Sequence, residues 1–153
     1  MIFENGTIKF VPTRYYTTKG VVIKKVSSGE SDFLVRVLTR DFGKIDLIAK
    51  GARRPSAKLN SHLDFANHDR VVFFKNGERI PTMIDAESLD IYPHWFLDMS
   101  QVDTVIRIMR TVDHMIPLGL GDESLYETIV TFLKGRPSQE DLVLYTKNFL
   151  DHL

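Results

Sequence analysis

Near Pro93 the apolar residues of this chain change their period, and few architectures accommodate such a change. From Thr17 to about Tyr92, short apolar–polar alternations are separated by turn residues, the pattern of half-buried strands. After Pro93, Trp95, Met99, Val102, Ile106, Met109, Val112 and Ile116 recur at three- and four-residue steps, the stripe of a long amphipathic helix. Strands first, then helices with apolar stripes to bury, predict a β + α chain. Residues 1–92 would form a strand-built domain and residues 93–153 a small all-α domain packed on it.

The order of the β elements narrows the first domain. Val21–Val26 reads as a strand, Ser27–Asp32 as a turn and Phe33–Arg40 as the next strand. Asp41-Phe42-Gly43 then turns into a strand over Lys44–Lys50, with Ile45, Leu47 and Ala49 on one side and both lysines on the other. Residues 51–68 are a long connection with helical potential around Leu59–Phe65. Arg70–Lys75 resumes as strand, Asn76-Gly77 signals a hairpin, and Ile80–Leu89 completes the set. Three strands, a long connection and a hairpin predict a five-stranded OB-fold barrel. Ahead of it lies a short lead with a turn at Asn5-Gly6 and an edge strand at Ile8–Val11. In the helical part, Pro117–Gly121 ends the first helix and Ser124-Leu125-Tyr126-Glu127 fits a capping box. Pro137–Asp141 opens a last helix with Leu142, Tyr145, Phe149 and Leu153 on its apolar face.

Charge is distributed unevenly along the chain. The formal net charge is zero, yet residues 1–60 hold 12 Lys and Arg against 5 Asp and Glu, and residues 61–153 hold 8 against 15. A basic first half points to a polyanionic partner. The basic residues concentrate between Lys44 and Lys58, where Lys44, Lys50, Arg53, Arg54 and Lys58 face a single acid, Asp46. Gly51 makes the loop permissive and Pro55 punctuates it, so a strand ending in a cationic loop is set to grip a phosphate backbone. Arg36, Arg40 and Lys24, on neighbouring strands, are further phosphate contacts. Phe33, Phe42, Phe65, Phe73 and Phe74 divide between barrel core and stacking on unpaired bases. Arg107 and Arg110 are set to pair with Asp103 and Asp113 on their own helix.

Several functions are disfavoured. There is no cysteine, hence neither a disulfide framework nor a thiolate zinc site, which suits a cytosolic protein. The five histidines show no metal-ligand spacing, no nucleophile elbow occurs, and Asp41-Phe42-Gly43 stands without any other kinase signature. No catalytic residue, metal or cofactor is expected. Apolar runs such as Val71–Phe74 are too short for a bilayer, and MIFENGTIKF lacks the regions of a signal peptide.

Gly20-Val21-Val22-Ile23, Gly29-Glu30-Ser31-Asp32, Leu38-Thr39-Arg40-Asp41-Phe42-Gly43-Lys44 and Lys50-Gly51-Ala52-Arg53-Arg54-Pro55 occur in an order and spacing that resembles the N-terminal domain of the bacterial recombination mediator RecO. The resemblance covers residues 17–92; the helical part is similar in pattern only. It implies an OB-fold that binds single-stranded DNA, anneals complementary strands and helps to load recombinase onto DNA coated with single-stranded DNA-binding protein, alongside RecR. It also implies a helical pocket for the acidic tail of the single-stranded DNA-binding protein, although residues 94–153 hold 5 basic against 9 acidic residues. Family members usually continue into a further helical region, often with a four-cysteine zinc motif, so this chain is expected to be a short form or a fragment. The alternative is an adaptor that docks on RecR or on the single-stranded DNA-binding protein with little DNA affinity of its own.

Overall fold

The structure is a computed structural model that describes residues 2–4, 7–9, 13–92 and 98–135, together with 144, 147 and 151. Trp95 and the apolar face expected at Leu142, Tyr145, Phe149 and Leu153 lie outside the described residues. Two short strands, β1 (Ile2–Glu4) and β2 (Thr7–Lys9), pair antiparallel ahead of the main sheet.

Five strands then close a barrel: β3 (Thr13–Ser28), β4 (Asp32–Thr39), β5 (Gly43–Ala49), β6 (His68–Asn76) and β7 (Thr82–Asp90), ordered β3-β4-β5-β7-β6. Neighbours run antiparallel except β5 and β7, which meet in parallel at Ile48 and Thr82. This is the OB arrangement read from the order of the strands. The first barrel strand is longer than expected, beginning at Thr13 and taking in residues assigned to the lead. It serves two partners because Gly20 pairs with both Thr39 and Asp69. A Cβ at Gly20 would run into the Val37 side chain, so glycine permits the crossing.

Alternation sends Val22, Val35, Val37, Leu47, Ala49, Val71, Phe73 and Met83 into the barrel, with Leu63 beneath the long connection. That connection keeps only a single 3-10 turn at Leu59–His62. A second core lies outside the barrel wall. There Val21, Ile23 and Leu38 meet α1 (Met99–Met115) and α2 (Glu123–Lys134) through Val105, Met109, Val112, Ile129 and Leu133. The fully packed stripe of α1 is Val105, Ile108, Met109 and Val112, while Val102 and Ile106 are only half-buried.

Asp98 caps α1 and accepts from the Ser100 amide at 2.9 Å. Asp122, not the expected Ser124, caps α2, accepting from the Leu125 amide at 2.8 Å. Both residue types can cap; Gly121, at φ +123°, ends the preceding turn so that helix geometry begins one residue after Asp122.

The α1–α2 turn is stitched to the barrel. The Lys44 amide donates to the Leu120 carbonyl at 2.9 Å, and the Gly119 amide donates to the Lys44 carbonyl at 2.7 Å. Because β7 reaches β5 only at Ile48, the start of β5 has an open edge, which this turn fills. Gly43, at φ +66°, lies so close to the Leu120 carbonyl that a side chain there has no room.

Candidate functional site

At the far end of β5 the chain leaves the barrel through Lys50 and Gly51. Gly51 adopts φ +67°, and its amide donates to the Asp32 carboxylate at 2.8 Å. The Arg53 amide donates to the Ser31 carbonyl at 3.0 Å, and the Arg53 guanidinium donates to the Gly29 carbonyl at 2.7 Å. Ala52 is buried beneath. The loop after β5 is therefore locked to the β3–β4 turn by three hydrogen bonds. Lys50, Arg53, Arg54 and Lys58 are all exposed on it, and none forms an ion pair with a carboxylate among the described residues. Lys24, on the outer face of β3, is also exposed and outside any ion pair among the described residues. Lys24, Lys50, Arg54 and Lys58 keep their N–H donors for an external anion, Arg54 with a whole guanidinium fork, and Arg53 keeps those not given to Gly29.

The other three expected contacts are placed differently. Arg36 donates to both oxygens of Asp46 across the ladder, at 2.7 and 3.0 Å, and to Asp113 of α1 at 2.8 Å. The Asp46 hydrogen bonds, and then Asp113, raise its pKa further despite burial. Lys44 does sit opposite Leu47 and Ala49, but that face is covered at this end. Its side chain is 5% exposed, and its ammonium donates to the Asp113 carbonyl at 2.7 Å and lies 3.3 Å from the carboxylate. Burial pushes Asp113 up, but the hydrogen bonds from Arg36 and Lys44 outweigh it and hold the carboxyl below its usual range. Arg40 is exposed yet paired with Glu123 at 3.1 Å. Arg36, Arg40 and Lys44 thus serve the seam between barrel and helices. The expected helix pairing holds for Arg107, which meets Asp103 at 2.9 Å, and is corrected for Arg110, because Asp113 turns inward to Arg36 and Lys44.

Among the aromatics, Phe42 and Phe73 join Tyr16 in a ring cluster within the core, with centroids 5.2–5.4 Å apart. Phe33 lies under the Lys25 ammonium, 4.8 Å from its centroid, and Phe65 packs on the helix-facing core. Phe74 faces outward beside Tyr15, a residue that fell between the lead and the strand pattern expected from Thr17; the β-branched and aromatic run Thr13–Thr18 was the available signal.

A polar group lies at the other end of β6. His68 bonds Asp90 at 2.8 Å and also the Tyr126 hydroxyl, tying β6, β7 and α2 together. That bond from His68 holds Asp90 below the usual carboxylate range, and burial pushes Tyr126 up to about 12. Asp69 is wholly buried, and neither of its oxygens finds a hydrogen-bond partner among the described residues. Burial pushes this carboxyl up to about 7, against the pull of the Ser88 side chain. Among the described residues no cluster of three or more His, Asp or Glu is placed to hold a metal. No described helix is long and apolar enough to cross a membrane.

A protein-family model described as "Recombination protein O N terminal" matches residues 14–92. DNA repair protein RecO of Heliobacterium modesticaldum is 29% identical over 143 residues, covering 92% of this chain and 52% of the relative. The protein of that name from Acetivibrio thermocellus is 29% identical over 102 residues, covering 67% of this chain and 40% of the relative. In Halalkalibacterium halodurans it is 39% identical over 63 residues, 41% of this chain and 25% of the relative. The chain spans about half the length, or less, of these curated relatives. With the matched segment coinciding with the five-stranded barrel and its basic loop, the chain belongs to the recombination protein O family through its N-terminal domain.

Proposed function

We propose that this chain is a non-catalytic binder of single-stranded DNA, acting in DNA repair as a strand-annealing and recombination mediator. Residues 1–92 serve as the nucleic-acid-binding unit and 93–153 as the helical unit. The observation that carries the reading is the locked loop after β5, which presents Lys50, Arg53, Arg54 and Lys58 with no carboxylate of the described chain in an ion pair with them. A rigid cationic rim loses little entropy on binding phosphate and reads no sequence. Lys24 extends it along β3. Arg36, Arg40 and Lys44, already engaged by Asp113, Asp46 and Glu123, hold the rim's scaffold in place. Family membership supports a cytoplasmic setting, with RecR and single-stranded DNA-binding protein as protein partners and the recombinase as an indirect one.

A titration of single-stranded DNA against salt tests this. Affinity falls with a log–log slope of roughly −0.7 per phosphate neutralised, and Arg53→Ala/Arg54→Ala flattens the slope and weakens all sequences alike. Unchanged affinity in the double variant removes the rim from the interface. The adaptor reading has one structural observation in its favour, since the acidic helices neutralise three cations of the barrel. Binding of an acidic tail peptide without any binding of DNA selects it.

A further inference from the structure

We propose that Tyr15 and Phe74 form a stacking step for an unpaired base, at one end of an apolar belt around the outside of the barrel. The proposal rests on the DNA-binding reading and adds the chemistry recognised beyond phosphate, the face of an unstacked nucleobase. Strand register places six side chains in one row. Tyr15 lies opposite Phe74, Phe74 opposite Thr82, Thr82 beside Ile48, Ile48 opposite Leu34, and Leu34 opposite Val26. Their neighbours along the strands, among them Tyr16, Phe73, Met83, Leu47 and Val35, belong to the barrel core, so the row points outward. Five strand-to-strand steps of about 4.8 Å give a track of roughly 24 Å. About four nucleotides fit on it, the lower end of OB-fold site sizes.

Tyr15 is the most open member, with 67% of its surface exposed. Its ring meets Phe74 edge-on, with centroids 5.1 Å apart and planes at 61°. The contact braces the ring while its exposed surface stays available to a ligand. Two cations share the outer face of the row: Lys24, two residues before Val26, and Lys50, two residues after Ile48, both exposed. Arg14 and Lys75, the register pair next to Tyr15 and Phe74, alternate to the other face and are exposed where the strands end. None of the four is in an ion pair among the described residues. Apolar and aromatic side chains beside uncompensated positive charges match an unpaired polynucleotide, whose bases present π-faces and whose backbone presents charge. A duplex keeps those faces hidden, and an acidic peptide offers charge without them.

The test measures affinities of the full chain for a thymine oligonucleotide, an abasic oligonucleotide of equal length and a duplex, at several salt concentrations. The wild type binds the base-bearing strand about tenfold more tightly than the abasic one. Tyr15→Leu abolishes that ratio but keeps the salt slope, because no cation is removed. Tyr15→Trp, which retains a ring, keeps the ratio. A Tyr15→Leu protein that still distinguishes the two strands, or a Tyr15→Trp protein that does not, overturns the proposal. Salt-dependent but base-blind binding by the wild type overturns the stacking step alone. Absence of binding to every oligonucleotide overturns the DNA-binding reading as well.

Discussion

Lysines mark the two ends of β5, and they meet opposite fates. Lys44 is sealed beneath α1 with its ammonium on Asp113, whereas Lys50 stands in solvent beside a loop of further cations. The difference lies in what covers each end of the same strand face. At the first end the α1–α2 turn completes the sheet edge and brings Asp113 and Glu123 with it. At the second, the only carboxylate bound to the loop among the described residues, Asp32, is spent on the Gly51 amide. Positive charge near a strand is therefore structural or available according to the partner that its neighbours supply.

Removing that partner should give the largest effect. Asp113→Ala leaves a buried ammonium and a part-buried guanidinium without their shared carboxylate, at a cost of about 3–5 kcal/mol; chemical denaturation measures it, and a loss under 1 kcal/mol would erase the contrast. Gly43→Ala attacks the same end through the backbone. A methyl group at φ +66° against the Leu120 carbonyl should cost about 2–3 kcal/mol and loosen the turn from β5, seen as faster hydrogen exchange at the Lys44 amide.

Asp69 shows what burial costs a charge that has no counter-ion. Burial raises its folded pKa to about 7, above the 3.8 of a solvated carboxyl. Its contribution to stability is therefore full below about pH 4 and is lost as pH rises to about 7, where the carboxylate must ionise inside the barrel wall. Asp69→Asn should remove that loss, on the order of 2 kcal/mol between pH 5 and pH 8 relative to the wild type. Parallel pH dependence in the two proteins would show that Asp69 does not titrate as described. The smallest effect is expected at Lys44→Met. An apolar chain of similar length fills the site while Arg36 still serves Asp113, so stability should stay within about 1 kcal/mol. The salt slope for single-stranded DNA should not move, in contrast to a flattening of about 1.4 for Arg53→Ala/Arg54→Ala. Equal slope changes would return Lys44 to the interface.

The barrel was legible because alternation and turn residues are local, and the order of five strands leaves few closures. Lys50, Arg53, Arg54 and Lys58 were placed on the surface for the same reason: Gly51 and Pro55 keep the loop out of the sheet. Lys44 was not legible as a buried group. Period two says which side of a strand a residue takes, whereas the cover on that side comes from Asp113 and Leu120, some seventy residues onward. Tyr15 escaped notice because its strand partner, Phe74, is also far away in sequence and only register joins them. At α2 the choice between Asp122 and Ser124 depended on the backbone of Gly121, which composition does not reveal.

The two hydrogen bonds that join Gly119 and Leu120 to Lys44 make the helical segment the missing rung of the sheet. An excised barrel would bare a raw strand edge beside a lysine stripped of its counter-ion, inviting self-association. Dissection of this protein is therefore better done by point substitution than by truncation, because a cut after β7 would damage the scaffold and be mistaken for a defect in its ligand.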